Sequence, residues 1–316
     1  MFMENFEEIG GDVFNMSPDA FIQPPKKKNL EIYQPSADKG KEGVYKALIR
    51  FIPNIRNVQK SKIHKYYVWL DDGTGDAFSV DCPSTVGKKS ILKDMYWKLK
   101  NSTSVRDQEL SDKLSRTESY YSIVQIVRDQ NDPELEGKLM IFKFGTKINT
   151  KIEKMLKPEF GDPINPYDLF EGKLFALSIV KKQQWNNYDN CEFVGERCPL
   201  QIDGKPIERT KEDMDRVRVW LKENSPELEK YEYKEWTDEI TEKVVRSLHN
   251  IVPDQRLVES IVGAAASGAP SGGMNVSEPM TAQREPEHSV EKRKPASAGA
   301  KKDTSTSSLD DLYAGL

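Results

Sequence analysis

Short strand-like runs separated by turn sequences fill residues 43–200, and this pattern limits the fold more than any other feature of the chain. The run GVYKALIRFIP alternates apolar and polar residues and stops at Pro53, as strands commonly do at a proline. Residues 64–82 contain two β-rich runs around the turn DDGTGD, which predicts a hairpin. This succession favours a small barrel over a parallel α/β sheet.

Helical segments interrupt and follow these strands. Residues 91–100 and 146–157 place apolar side chains at helical spacing, so two inserted helices are predicted. Residues 210–260 read as two amphipathic helices, the first of them capped by Thr210. We therefore predict a mainly β fold with inserted helices, in which a small barrel core is followed by a helical segment.

Composition divides the chain into four predicted segments. Residues 1–42 are proline-rich and contain a lysine run, so they are expected to form a flexible arm. Residues 43–200 form the barrel core and residues 201–260 the helical segment. Residues 261–316 are rich in Ala, Gly, Ser and Pro. They are too polar to bury a core, and a disordered tail with a short docking tip is predicted.

Both end segments carry candidate contacts. The lysine run is either solvated linker charge or a contact with nucleic acid or an acidic partner, and it consists of Lys26, Lys27 and Lys28. The tip is either a frayed terminus or a peptide that docks into an apolar groove with a basic rim. Its candidate docking residues are Leu309, Asp310, Asp311, Leu312 and Leu316.

The charge of the chain is unevenly distributed. The net charge is −4, yet residues 41–200 carry 26 Lys and Arg against 22 Asp and Glu. The charge of the domain matters more for nucleic-acid binding than that of the whole chain, so such binding is compatible with the core. No run of 18 apolar residues and no apolar leader is present, so neither a membrane span nor a secretory signal is expected.

Motifs for catalysis or metal binding are absent from the sequence. It contains no GxGxxG, no Walker lysine loop, no HExxH, no CxxC and no GxSxG, and it has three histidines. Three cysteines, Cys82, Cys191 and Cys198, are too few for a disulfide framework and suggest a reducing cytosol. We therefore predict that the protein is not an enzyme and holds no metal.

Aromatic residues interleaved with basic residues are the main functional signal of the core. Rings can stack on bases while lysine and arginine follow the phosphates, which is the chemistry of a single-strand binder. For each ring the alternative is core packing, and adjacent strand residues such as Tyr120 and Tyr121 face opposite ways unless the strand is bulged. The candidate contacts are Tyr66, Arg116, Tyr120, Tyr121, Phe142, Lys143, Lys147, Lys181, Lys182, Trp185 and Tyr188.

Three stretches of the core resemble the single-stranded-DNA-binding, helix-destabilising protein of the T-even bacteriophages. They are ALIRFIP (47–53), SYYSIVQIVRDQNDPELEGKLMIFKFGTKI (119–148) and FEGKLFALSIVKKQQWNNYDNCEF (170–193). The LDDL tip after a low-complexity tail is similar too. The resemblance implies an OB-fold core that coats DNA without sequence preference, and it adds Arg50 as a cleft residue. It also suggests that the basic run in the arm is an analogue, in character only, of the family's N-terminal basic motif for cooperativity.

The resemblance also implies a zinc site that this chain has lost. The family binds zinc with one histidine and three cysteines, but in register only Cys82 is retained. The other ligand positions fall near Trp69, Leu92 and Met95. One thiolate cannot form a tetrahedral zinc site, so we predict no cofactor and a small hydrophobic cluster in place of the metal.

The predicted function is sequence-independent binding and protection of single-stranded DNA during phage DNA replication, recombination and repair. The predicted partners are single-stranded DNA, further copies of the chain along the DNA, and phage replication or recombination proteins at the tip; no membrane is expected. The location implied is the cytoplasm of the infected bacterial host. The alternatives are an RNA-binding regulator on the same fold and a non-catalytic replisome or virion scaffold protein.

Overall fold

A computed structural model describes residues 31–71, 73 and 77–266, and over these residues the fold is a mixed sheet with six α-helices. The strands are β1 (Ile32–Tyr33), β2 (Val44–Ile52), β3 (Lys62–Asp71), β4 (Ala77–Asp81), β5 (Thr117–Asp129), β6 (Leu139–Phe144), β7 (Leu174–Lys182), β8 (Trp185–Asn187), β9 (Glu192–Val194), β10 (Gln201–Ile202) and β11 (Lys205–Pro206). The helices are α1 (Ile91–Lys100), α2 (Val105–Asp112), α3 (Thr146–Leu156), α4 (Lys211–Asn224), α5 (Asp238–Ile251) and α6 (Gln255–Ala266). The prediction of a sheet with inserted helices is confirmed.

The first nine strands of the described residues form one sheet. Its central path runs β1, β6, β5, β2, β7, β8, and neighbours are antiparallel except that β1 is parallel to β6. Strand β3 continues along the edge of β5 where β2 stops, because Ile52 pairs with Ile123 and Lys62 pairs with Ser122. Strand β4 completes the predicted hairpin with β3, and β9 pairs with β7. The long strand β5 thereby joins the central sheet to the β3–β4 hairpin.

The two ends of the central sheet approach each other. Strand β1 lies at one end, yet the chain just beyond it reaches β8 at the other end, where the Ala37 N–H donates to Asn186 Oδ1 at 3.2 Å. Four residues of extended chain span at most about 14 Å, so the gap between the ends, from Tyr33 to Asn186, is short. The sheet is therefore curled and nearly closed.

The inner side of this curled sheet holds a buried cluster, which we call the inner cluster. It contains the aromatic rings of Phe51, Phe142 and Phe175, and the last of these lies 5.7 Å from Phe51 between ring centroids. Helix α3 covers the cluster with Ile148 and Ile152. Side chains alternate between the two faces of the sheet along β2 and β5, so every second side chain points inward. Short runs with apolar residues at every second position are therefore enough to form this core.

Two further clusters lie outside the curled sheet. The outer cluster packs the other face of the sheet against α4, and it is centred on Ile123, Ile141, Val217, Leu221 and Leu228. The hairpin cluster packs β3 and β4 against helices α1, α5 and α6, and it is centred on Val68, Leu70, Leu92, Met95, Leu248 and Val258. Residues 201–260 therefore pack on the core at two places.

Helix starts follow the capping rules. The Thr210 side chain accepts a hydrogen bond from the Asp213 N–H at 3.2 Å, so the predicted cap of α4 is confirmed. Ser90 and Thr237 cap α1 and α5 in the same way. The apolar spacing predicted for α1 is also confirmed, because its buried residues are Ile91, Leu92, Met95 and Leu99.

Several elements differ from the sequence prediction, among them β1, α2, the end of α6, and the β10–β11 pair at the start of the predicted helical segment. Strand β1 falls in the predicted arm, and it is held there because the Tyr33 hydroxyl donates to Asp129 Oδ2 at 2.7 Å. Helix α2 carries few apolar residues, so the sequence shows little of the apolar spacing that would predict a helix there. Helix α6 extends past residue 261 into the predicted tail, since Val258 and Ile261 pack in the hairpin cluster. No helix within the described ranges has the length and apolar character needed to cross a membrane.

Candidate nucleic-acid interface

Strand β5 sends its two adjacent tyrosines to opposite faces of the sheet. Tyr120 faces inward, where its ring stacks on Phe144 at 5.7 Å and its hydroxyl donates to Glu118 Oε1 at 2.8 Å. Tyr121 faces outward and pairs across the sheet with Lys143. The pairing of Tyr120 and Tyr121 with β3 and β6 runs without a register shift. The two rings therefore cannot line one groove.

The outward face carries a group of rings and lysines, which we call the tyrosine–lysine patch: Lys65, Tyr67, Tyr121 and Lys143. The Lys143 ammonium lies 4.5 Å from the centroid of the Tyr67 ring and 5.8 Å from that of Tyr121. It also donates to the Tyr67 hydroxyl at 3.3 Å. Lys65 lies 5.7 Å from the Tyr121 ring. The patch thus combines one exposed ammonium, that of Lys143, with the half-buried ring of Tyr67 and the buried ring of Tyr121.

A groove of about 370 Å³ opens beside this patch. It is lined by Ile32, Tyr33, Gln34, Pro35, Tyr121, Phe142, Lys143, Tyr188 and Tyr231. Four of these were candidate contacts in the sequence, and the structure brings them together from three separate segments. The groove also includes the turn after β1 and Tyr231, which sequence reasoning missed because both lie outside the strands of the core.

The inward face carries a second set of rings and charges. The Arg116 guanidinium lies 4.4 Å from the Tyr66 ring, and it donates to Ser84 Oγ at 2.9 Å. His64 lies edge-on to Tyr66 at 4.5 Å and contacts Glu118. Hydrogen bonds to Glu118 hold its pKa below its usual range against the opposing effect of burial. The predicted contacts Tyr66, Arg116 and Tyr120 therefore form a separate group from the tyrosine–lysine patch.

The β7–β8 hairpin presents the most exposed of the candidate rings. Trp185 is 71% exposed and pairs with Lys182 across the hairpin. Lys181 forms an ion pair with Asp38 at 2.9 Å. Tyr188 packs against the inner cluster, and its pKa is raised mainly by burial. The polar segment 186–193 contributes residues to β8 and β9.

Four candidate contacts are buried: Tyr120 and Tyr121 are 8% and 6% exposed, and Arg50 and Phe142 lie deeper still. Arg50 is 1% exposed, and its guanidinium donates to the backbone carbonyl oxygens of Cys198 and Asp168, each at 2.6 Å. Phe142 is also 1% exposed, and its ring lies 6.0 Å from that of Tyr33. The burial of Arg50 and Phe142 gives both a role in packing, and Phe142 also forms part of the wall of the groove.

Lys147 lies on α3 and is engaged in an ion pair. Its ammonium is 2.8 Å from Asp189, and hydrogen bonds and charge from Lys147 hold the pKa of that carboxyl below its usual range. The basic run at Lys26 to Lys28 and the tip at Leu309 to Leu316 lie outside the described residues.

Residues 225–236, which join α4 to α5, cross the outward face and are called the strap. Tyr231 stacks on Tyr121 with 5.0 Å between centroids, and the Trp236 indole N–H donates to the Asp81 carbonyl oxygen at 2.6 Å. Glu232 pairs with Lys60 at 2.8 Å, and Glu235 pairs with Lys88. The strap therefore places one aromatic ring and several carboxylates beside the tyrosine–lysine patch.

Residues 43–252 match the family model described as gp32 DNA binding protein like. Because this match covers more than half of the chain, the protein belongs to that family, and the resemblance found in the sequence is confirmed. The family consists of non-catalytic DNA-binding proteins, which agrees with the prediction that the chain is not an enzyme.

Among curated relatives, the chain is similar to the single-stranded DNA-binding proteins of Enterobacteria phages T4 and T2. Each is 26% identical over 169 residues, which make up 52% of this chain and 55% of the relative. The chain spans about half the length of the curated relatives it matches.

The zinc site implied by the family does not fit this chain. Cys82 is buried, and its sulfur lies 3.1 Å from Ser84 Oγ and 3.4 Å from Ser90 Oγ. Leu92 and Met95 are packed in the hairpin cluster, as the predicted apolar replacement requires. Across the described ranges no three His, Cys, Asp or Glu residues are grouped to hold a metal.

Trp69 departs from the predicted replacement cluster. The resemblance places a ligand position near it, but its side chain is 55% exposed rather than packed with Leu92 and Met95. Neighbouring residues in a strand face opposite ways, so burial of Val68 and Leu70 leaves Trp69 on the outward face.

The cysteines are free thiols. None of the three, all within the described residues, forms a disulfide. Burial raises the pKa of the Cys191 thiol to about 11, so that thiol is protonated at neutral pH.

Proposed function

We propose that the protein binds single-stranded DNA without sequence preference through the tyrosine–lysine patch and the groove beside it. The observation that carries this proposal is the position of Lys143, whose ammonium lies over the Tyr67 ring and whose side chain lines the groove. A phosphate can bind the ammonium while a neighbouring base stacks on an aromatic face. Every base has such a face, so this mode tolerates any sequence.

Unpaired bases suit this surface better than a duplex. The rings stand on a sheet and beside a groove, where a stacked base must leave its own helix to reach them.

The curled sheet supports the same proposal. In the chain β2 is followed by the β3–β4 hairpin with helices α1 and α2, then by β5, β6 and helix α3, and finally by β7, while β5 and β7 flank β2 in the sheet. We propose that this nearly closed arrangement is an OB-fold, a small barrel that commonly binds oligonucleotides.

Replacing Tyr67 or Lys143 with alanine tests the patch. Tyr67→Ala is expected to weaken oligo-dT binding by about 1–3 kcal/mol through lost stacking. Lys143→Ala is expected to lower the slope of log K against log salt by about one, because one phosphate contact is lost. Fluorescence titration at two salt concentrations measures both quantities.

Lys98 provides the matched control for charge. It is an exposed lysine on α1, and Lys98→Ala should leave both affinity and salt slope near those of the original protein. If Tyr67→Ala and Lys143→Ala also bind like the original protein, the patch is not the interface.

Trp185 and Tyr188 are expected to respond differently to alanine. Trp185→Ala should leave the free energy of unfolding within about 0.5 kcal/mol, since the ring is exposed, and should weaken oligo-dT binding by about 1–3 kcal/mol. Tyr188→Ala should lower the free energy of unfolding by about 1–3 kcal/mol, because its ring packs against the inner cluster. Urea denaturation and titration of both variants separate the effects, and equal stability losses would contradict the assignment.

The two alternative functions give different results in direct binding. A preference for RNA over DNA oligomers of equal length in competition would favour an RNA-binding regulator. Absence of salt-sensitive binding to oligo-dT would favour a scaffold protein.

We also propose the wider role that the family and the phage relatives suggest. This role is protection of single-stranded DNA in phage replication, recombination and repair, within the cytoplasm of the infected host. Self-association through the basic run at Lys26 to Lys28 and docking of replication proteins at the tip are parts of the same proposal. The sequences of the two end segments support both the self-association and the docking.

A further inference from the structure

We propose that Trp69 is an additional base-stacking residue, which extends the interface along β3 toward the β3–β4 hairpin. The inference rests on the proposed single-stranded DNA binding. The Trp69 ring is 55% exposed, and its centroid lies 6.3 Å from that of Tyr67 at an interplanar angle of 77°. The exposed indole is therefore continuous with the tyrosine–lysine patch.

The strand fixes the direction of this side chain. Residues 65, 67 and 69 share one face of β3, while Val68 and Leu70 are buried on the other face in the hairpin cluster. Trp69 cannot turn inward without displacing one of these side chains. A large ring is thus held in solvent beside Tyr67, on the face where Lys65 and Lys143 contact the tyrosines.

The surroundings of Trp69 favour a base over a phosphate. Ser79 pairs with Trp69 across the hairpin, and Asp71 lies two residues further along the same strand. Asp81, on the partner strand, already pairs with Lys65 at 3.0 Å. None of these groups attracts a phosphate, whereas the indole offers a wide π-face. The contact is therefore a stack on a base, and it should depend little on salt.

The matched experiment compares Trp69→Ala with Trp97→Ala in oligo-dT titrations at two salt concentrations. Trp97 is 37% exposed on α1 and contacts Tyr96, so it controls for loss of a surface tryptophan. We expect Trp69→Ala to raise Kd roughly 5- to 150-fold, by the same factor at both salt concentrations. Trp97→Ala should leave Kd unchanged.

Unchanged binding by Trp69→Ala would overturn the inference, and so would a loss that disappears at high salt. A thermal melt of the variant shows whether it folds. If it does not, Trp69→Phe keeps a ring in place, and a smaller quenching of tryptophan fluorescence at saturating oligo-dT then supports stacking, whereas unchanged quenching contradicts it. Binding by the original protein with no effect at Trp69 refutes this inference alone, whereas no binding by the original protein refutes the proposed function as well.

Discussion

Arg50→Ala is expected to lower the free energy of unfolding by about 3–5 kcal/mol. The side chain is buried, and its loss leaves a cavity and removes the donor from two carbonyl oxygens, those of Cys198 and Asp168. Burial already lowers the pKa of the guanidinium, while its partners oppose that shift. Urea denaturation measures the loss.

Two control variants separate the loss of the buried contacts of Arg50 from the loss of an arginine in general. Arg106 is an exposed arginine on α2, and Arg106→Ala should change stability by less than about 0.5 kcal/mol. Arg50→Lys keeps the charge but cannot reach both carbonyls with a forked group, so it should be intermediate. If Arg50→Ala is stable but binds oligo-dT weakly, with a reduced salt slope, the residue contacts phosphate after all.

Phe142→Ala is expected to cost about 3–5 kcal/mol of unfolding free energy, the usual range for a buried phenylalanine. The ring lies between Tyr33 and Phe144 in the inner cluster, at 6.0 and 5.5 Å between centroids. Because Phe142 also pairs with Tyr33 across the parallel strands, the substitution should loosen β1 as well. Hydrogen exchange of the β1 amides and urea denaturation measure these effects.

Phe142→Leu serves as the control, since it retains most of the apolar volume and should lose less stability than Phe142→Ala. Normal stability of Phe142→Ala together with weak oligo-dT binding would instead place this ring at the ligand.

Strand β2 and helix α1 could be predicted because local spacing determines them. Alternation in 44–52 and the helical spacing of 91–100 give the elements that the structure contains. The burial of Arg50 could not be predicted in this way. Its partners lie 118 and 148 residues away in the chain, at Asp168 and Cys198, and nothing near Arg50 in the sequence indicates them.

The sequence indicated the residue types of the candidate interface, but not which of these residues lie together. Interleaved rings and lysines indicated candidate contacts on β3, β5, β6 and β7, and their role in binding stays a prediction. Alternation predicts that Tyr66 and Tyr67 face opposite ways, but sequence alone could not show which of them lies beside Lys143, because that depends on the neighbouring strands. Tyr231 carried no signal, since it comes from the strap, whose position depends on the packing of Leu228 and Trp236 in two different clusters.

The carboxylates around the interface affect the number of bound phosphates that is inferred from a salt titration. Lys60 and Lys65 are already neutralised by Glu232 and Asp81. A phosphate that takes over such a lysine sets free a carboxylate, which gathers a cation of its own from solution. Fewer ions are then released than phosphates are bound, whereas the usual proportionality assumes release at every contact. The number of phosphates inferred from the slope would therefore be a lower bound on the number bound.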